Sequence, residues 1–505
     1  MIRREFLKYS GLAGFSTLLY PGWPALSGDN KSLLALEELF QNPPPSARPG
    51  NMWFWMNGHV TREGITLDLE AMHRIGVGAV FNFDAGTGIP KGPLEYLSPE
   101  WFAIKAFALK ECNRLGIDFC MHNCPGWSSS GGPWITPDRS MKTLVWSEVQ
   151  INTAGKEDSI ALPVPEHKLE FYQDVCVLAF PSLPPDTPPF ASWERRTNKE
   201  YNRGLGPIDP ALPAINPAHI VVATAWMDTE GNFDLKALKT QASDSGNQSY
   251  TLQRFGYTSL GTLNRSSPDT GLGLECDKFD PEAVAFHFDK MITPLLPFLE
   301  PLARQGKMAL EIDSWEVGMQ NWTGGFETEF ETRNSYSPIA YLPAMTGKLV
   351  GSADETDRFL WDLRRTQADM IADHYYGKMA ELCHRHGIRA YFEPYDRGPM
   401  EEIQIGSRGD LSMGEYWYGL STIFQNNLTM RRTCKLASSV AHISGQRIVG
   451  VEGLTAEPEA ARWQEYAFAM KPVCDKMFTM GINRILVHRN AHQPHPTAMP
   501  GMTMG

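Results

Sequence analysis

Short apolar segments that end on a polar or acidic residue recur along this chain with helical patterns between them, and that recurrence limits the fold more than any other feature. Met52–Met56, Val77–Phe83, Ile117–His122, Met308–Ile312, Ile388–Phe392, Leu411–Tyr416, Arg447–Val451 and Asn483–His488 read as eight strands. Thr61 caps a helix carrying Ile65, Leu69 and Met72, and Ser98-Pro99-Glu100 opens another that Gly116 stops. Pro281 to about Arg304 reads as one helix, and Ser352 with Glu355 forms a capping box for a long one ending at Gly387. A further helix is expected around Met430–His442, and Pro458 starts one that stops at Gly481. Repeated β-then-α units predict an α/β fold, a (β/α)8 TIM-type barrel rather than a doubly wound sheet. The alternation breaks from about Thr143 to Lys278, where the Pro-rich FPSLPPDTPPF mixes with β-like HIVVATAW and YTLQRF. A β-rich insertion is therefore expected at 143–278, between barrel parts at 43–142 and 279–505.

Asp84, His122, Asp313, Glu393, Glu415 and Glu452 all fall at the C-terminal ends of these strands. A barrel gathers such ends on one face, where its active sites are built. Several carboxyl groups beside Trp and Asn point to glycoside hydrolysis, which needs one carboxyl protonated and a second ionised. Asp313-Ser314-Trp315-Glu316, with Trp322 close behind, supplies two acids beside an indole, and Glu452 comes from a different strand. A net charge of −12 with no basic run beyond the first residues excludes a polyanion binder, so no nucleic-acid partner is expected. Gly86-Thr87-Gly88 is no phosphate loop, because Pro90 sits where a helix would start and no Gly-Lys-Ser/Thr follows. Cys120, His122 and Cys124 have strand spacing and raise a zinc site, but no fourth ligand is near; core packing is the better reading. Cys112, Cys383, Cys434 and Cys474 lie in helix-like segments and read as core residues.

Residues 1–28 carry Arg3-Arg4, then Phe6-Leu7-Lys8 and a short apolar run, the pattern of a twin-arginine export signal. The run is too short for a stable membrane anchor, so the expected site of action is periplasmic or extracellular, reached through the twin-arginine machinery.

From about Pro43 to Gly505 the chain resembles glycoside hydrolase family 106, the α-L-rhamnosidases. NGHVTREGITLDLEAM, HNCPGWSSSGGPWITP, RFGYTSLG, GLECDK, DSWEVGMQNWT, DLSMGEYW, VEGLT and HRNAHQPHP carry the likeness, in the family's order. The resemblance implies a barrel interrupted by a β-rich insertion that removes terminal α-L-rhamnose from a saccharide with inversion, assisted by calcium. It makes Glu316 the general acid, Glu452 the general base and Glu415 a calcium ligand, the last two being exchangeable. His122, Asn123, Trp127, Asp313 and Trp322 would line the sugar site with Asp84 and Glu393. The chain reads VEGLT where the family has A-E-A-F-T, and it stops where members continue into a closing helix and β-sandwich domains, so an exposed face is expected beside the last strand. A sugar-binding remnant of the same fold, or a retaining barrel glycosidase on another sugar, is the alternative.

Overall fold

The computed structural model describes residues 30–44, 47–198, 205–245, 248–396, 398, 400–418, 428–456, 462 and 464–504. The proposed export segment at 1–28 and Pro458 lie outside these residues. The chain forms two compact units, Met1–Arg48 and Pro49–Gly505. The first contains the helix Asn30–Gln41. No described helix is long and apolar enough to cross a membrane.

The second unit is built on a closed barrel of eight strands, all parallel, each paired with its neighbours in sequence. They are β1 Gly50–Met56, β2 Ala79–Ala85, β3 Asp118–His122, β4 Met308–Ile312, β5 Arg389–Phe392, β6 Leu411–Tyr418, β7 Gly450–Ala456 and β8 Arg484–Ala491. Between β3 and β4 an antiparallel sheet orders Lys142–Asn152, Ser249–Ser259, Tyr172–Pro181 and Val221–Val222 side by side.

Local chemistry sets the helix ends. The Ser98 hydroxyl accepts from Trp101 N at 3.1 Å, Pro99 takes the first helical position, and Gly116 closes the helix Pro99–Leu115 at φ 71°. The expected helix from Pro281 to Arg304 is broken into Pro281–Met291, a 3-10 turn Thr293–Leu295 and Leu296–Ala303. Pro294 and Pro297 cannot donate to the helical ladder, so the chain bends there. The long helix runs as Ala353–Met370, a π turn Ile371–Gly377 and Lys378–Arg385. β7 begins three residues later than Arg447 because the Asn483 side chain takes the preceding backbone, accepting from Val449 N at 2.8 Å and donating to Arg447 O at 2.7 Å.

The face expected to lie open beside the last strand is only partly covered. The outward Ile485 and Val487 of β8 stay half-buried, Phe468 and Phe478 before it are exposed, and the residues just beyond β8 pack on the helix Arg62–Arg74. His492 is buried and shares a 2.7 Å hydrogen bond with Asp68, which also accepts from the outward Trp53 indole at 2.9 Å. Gln493 O approaches Gly64 so closely that a Cβ there would sit 2.2 Å away.

Candidate active site

Strand alternation decides which side chains can reach a common site. Met52, Phe54, Phe81, Phe83, Cys120, Ala309, Tyr391, Leu411, Met413 and Leu486 fill the barrel interior. Counting on by twos from these positions, and on β7 from Gly450, whose Cβ would meet the inward Met413 and Leu411, His122, Glu311, Asp313, Glu393, Glu415, Glu452 and His488 share the inward side. Asp84 has the opposite parity. It lies between barrel and helix, 2.9 Å from Lys105 Nζ and accepting from the Trp101 indole at 3.0 Å. The structure thus places Asp84 in an ion pair outside the site, where Lys105 also lies 3.8 Å from the centre of the Trp55 ring.

At the C-terminal mouth lies a cavity of about 290 Å³, lined by Met52, Phe54, Trp127, Asp313, Ser314, Glu316, Glu415, Trp417, Glu452, His488, Arg489 and Met504. Glu316 sits on the loop after β4, and both sides of that loop are tied down. Trp315 N donates to Tyr395 O at 2.9 Å, and Asn321 Oδ1 accepts from Leu144 N of the inserted sheet at 2.8 Å. Asp277 accepts from Thr323 Oγ1 at 2.6 Å and from Lys142 Nζ at 2.5 Å, fastening the same loop to the root of the insertion. Trp127 donates from its indole to Glu316 Oε2 at 3.2 Å. Its loop needs Gly126, at φ 81°, because a Cβ there would lie 2.0 Å from Arg265 O. The loop is further held by Ser130, which donates to Glu275 at 2.7 Å. Glu415 and Glu452 stand opposite each other on β6 and β7. The Trp417 indole donates to Glu415, and His488 Nδ1 lies 3.6 Å from Glu452.

Beneath the cavity the carboxyl groups form a layer. Glu311, Asp313 and Glu393 are buried and each offers an oxygen within 4.8 Å of the others. Glu311 Oε2 shares a 2.9 Å hydrogen bond with His122 Nδ1, and the Tyr395 hydroxyl donates to Glu393. Glu311 Oε1 and Glu393 Oε1 are buried with no hydrogen-bond partner among the described residues. Burial raises the pKa of each acid in this layer. Asp313 rises to about 8 through desolvation and then the Glu311 charge, and Glu415 to about 7 through desolvation, with the Glu316 and Asp396 charges adding. Glu311, Glu393 and Glu452 rise well above the usual carboxylate range from burial first; the Glu415 charge adds to Glu452, while Arg489 opposes it. His122 moves the other way, down to about 4, because burial disfavours its charged form.

Residues 41–184 and 189–505 match the glycoside hydrolase 106 family, described as alpha-L-rhamnosidase. The chain belongs to this α-L-rhamnosidase family of glycoside hydrolases. It is similar to a rhamnosidase structure from Novosphingobium sp. PP1Y, with a TM-score of 0.79 and 28% identity, over 93% of this chain and 57% of that one. A protein of Formosa agariphila named a putative beta-glucuronidase is 37% identical over 473 residues, which is 93% of this chain and 39% of that protein. The chain therefore spans well under two thirds of either relative's length.

Of the residues that the α-L-rhamnosidase resemblance pointed to, Glu316, Glu415, Glu452, Trp127 and Asp313 line one cavity. Glu393 and His122 lie below it, His122 stacked on Phe83 at 4.7 Å. Asn123 is a buried scaffold residue, donating to Tyr375 Oη at 2.9 Å and to Ser129 O at 2.6 Å. Trp322 is fully buried against Phe326, outside the cavity. Cys120 packs in the barrel interior and Cys124 Sγ lies 3.4 Å from His122 Nε2, but among the described residues these three do not bring three ligand atoms together. The sequence reading gave no role to Glu311, His488, Arg489 or Met504. Glu311 could have been found as a charge inside the apolar strand MALEI, two residues before Asp313. The family's departure at Gly453 has a steric counterpart, since a Cβ there would lie 2.4 Å from the Tyr416 ring.

Proposed function

We propose that the chain is an exo-acting, inverting glycosidase that releases terminal α-L-rhamnose from oligo- or polysaccharides and works outside the cytoplasm after twin-arginine export. One observation carries the reading: Asp313, Glu316, Glu415 and Glu452 surround a single cavity that also has an apolar wall of Met52, Phe54 and Met504. Glu316 gives its proton to the glycosidic oxygen as the bond from C1 to that oxygen breaks. Glu452 takes a proton from the water that attacks C1 on the opposite face, which inverts the anomeric centre. The same cavity disfavours a uronic acid, the sugar in the name of the Formosa relative. Its carboxylates outnumber the single Arg489, whereas the apolar wall suits the methyl group of a 6-deoxy sugar.

Glu452 must be ionised to act as base, and burial opposes this. Arg489 supplies part of the compensation. Calcium fits the rest: Glu311, Asp313 and Glu393 are hard oxygen donors close together, and two of their oxygens lack hydrogen bonds. When bound, the ion would supply positive charge that lowers the proton affinity of the acids around it. Glu415, the ligand inferred from the resemblance, lines the same cavity as Asp313.

An assay of the chain on 4-nitrophenyl glycosides tests the reading. Release from the α-L-rhamnoside, abolished by chelator and restored by calcium, is expected. Release from the β-D-glucuronide instead would overturn the sugar assignment, and indifference to chelator would overturn the role of calcium. Rhamnose binding without turnover would make the chain a sugar-binding remnant.

A further inference from the structure

A second cavity, of about 620 Å³ against about 290 Å³ for the first, lies on the outer side of the loop after β5. That loop starts at Glu393, beneath the catalytic cavity, and its later residues Asp396 and Glu401 line the second one. Asp396 is bridge-paired to Trp315, the residue next to Glu316, and its charge acts on Glu415. The second cavity therefore lies on the side of the general acid. In a glycosidase the acid faces the leaving group, so this is the side where the rest of the substrate must go.

The lining has a definite chemistry. Trp361 on the helix Ala353–Met370 is 66% exposed, an uncommon position for a large flat ring. Four arginines line it together with four carboxylates, Asp357, Asp396, Glu401 and Glu402, and three of the arginines are held in ion pairs. Arg196 lies 2.9 Å from Asp357, and Arg432 lies 2.9 Å from Glu402. Arg365 makes a two-pronged contact with Asp369 at 3.1 and 2.5 Å. Balanced donors and acceptors of fixed orientation match hydroxyl groups, which both donate and accept; they offer no excess positive charge to a polyanion. A flat apolar ring beside them gives a face for a pyranose to cover.

We propose that this cavity is the leaving-group subsite and that it holds neutral sugar units next to the residue being cleaved. The inference rests on the reading of Glu316 as general acid. Trp361→Ala tests it, since an exposed side chain can be removed without disturbing the core. For a rhamnose-capped neutral oligosaccharide, the KM of the variant should rise about tenfold, the loss of one stacking contact, while the inhibition constant of free L-rhamnose, which carries no leaving group to enter this cavity, stays within about twofold. Equal effects on both, or none on the oligosaccharide, would overturn the proposal.

Calorimetric binding of uncapped tetrasaccharides keeps this test separate from activity. Neutral glucan, galactan and mannan tetrasaccharides are the probes, with tetragalacturonate as the acidic control. At least one neutral probe should bind the wild type and weaken about tenfold in Trp361→Ala. Preference for tetragalacturonate, or binding of none, would overturn it even if the aryl rhamnoside is hydrolysed. If the aryl rhamnoside is not hydrolysed but neutral binding depends on Trp361, the catalytic reading fails and the subsite as a saccharide site stands.

Discussion

A single step of strand parity separates a site acid from a structural one. Asp84 and Asp313 both follow apolar runs, yet Asp313 opens on the cavity while Asp84 pairs with Lys105 behind the strand. The proposed roles of Glu316 and Glu452 predict that Glu316→Gln and Glu452→Gln each lower kcat on an unactivated rhamnoside by about 10²- to 10⁴-fold. On a dinitrophenyl rhamnoside, whose leaving group needs no proton, Glu316→Gln should recover most of its rate and Glu452→Gln should not. Recovery in Glu452→Gln instead would exchange the two roles, a direction that the raised pKa of Glu452 makes worth testing. That Glu316, Glu415 and Glu452 meet at one cavity was legible in the sequence because each stands in a specific motif near the end of a different strand. Asp84, Asn123 and Trp322 fall outside that cavity, because which side a residue faces depends on register, and proximity in sequence does not report it.

Among the elements, β6 packs closely against the helix behind it. A Cβ on Gly414 would lie 2.7 Å from the backbone of Thr433 and Cys434, in the helix Leu428–Ser444. Backbone cannot swing aside as a side chain would, so Gly414→Ala must push β6 away from that helix and shift Glu415. A loss of about 1–3 kcal/mol is expected, seen as a lower thermal midpoint, together with a lower kcat. An unchanged midpoint and rate would contradict this packing. The strands and most helices were legible from apolar runs and caps such as Ser98. The break at Pro294 and the late start of β7 were not, since the first needs two prolines weighed against a strong helical pattern. The second depends on Asn483, which lies more than thirty residues downstream.

For the molecule as a whole, the barrel concentrates buried acids at one end, and something must neutralise them. In chelator, protons do so: Asp313 at about 8 and Glu415 at about 7 hold protons in the folded state that the unfolded chain gives up near pH 4. Between those limits the folded state binds more protons, so stability present at about pH 4 should fall as pH rises toward about 8. Calcium should flatten that decline, and a thermal midpoint that rises with pH in chelator would contradict the account. The roles proposed for Glu316 and Glu452 entail inversion at the anomeric carbon, which makes the product's anomeric form the most direct test. Proton NMR during hydrolysis of an aryl α-L-rhamnoside should show β-L-rhamnose first, with the α anomer appearing only as the sugar mutarotates. α-L-Rhamnose as the first product would contradict a water-activating Glu452 opposite a proton-donating Glu316.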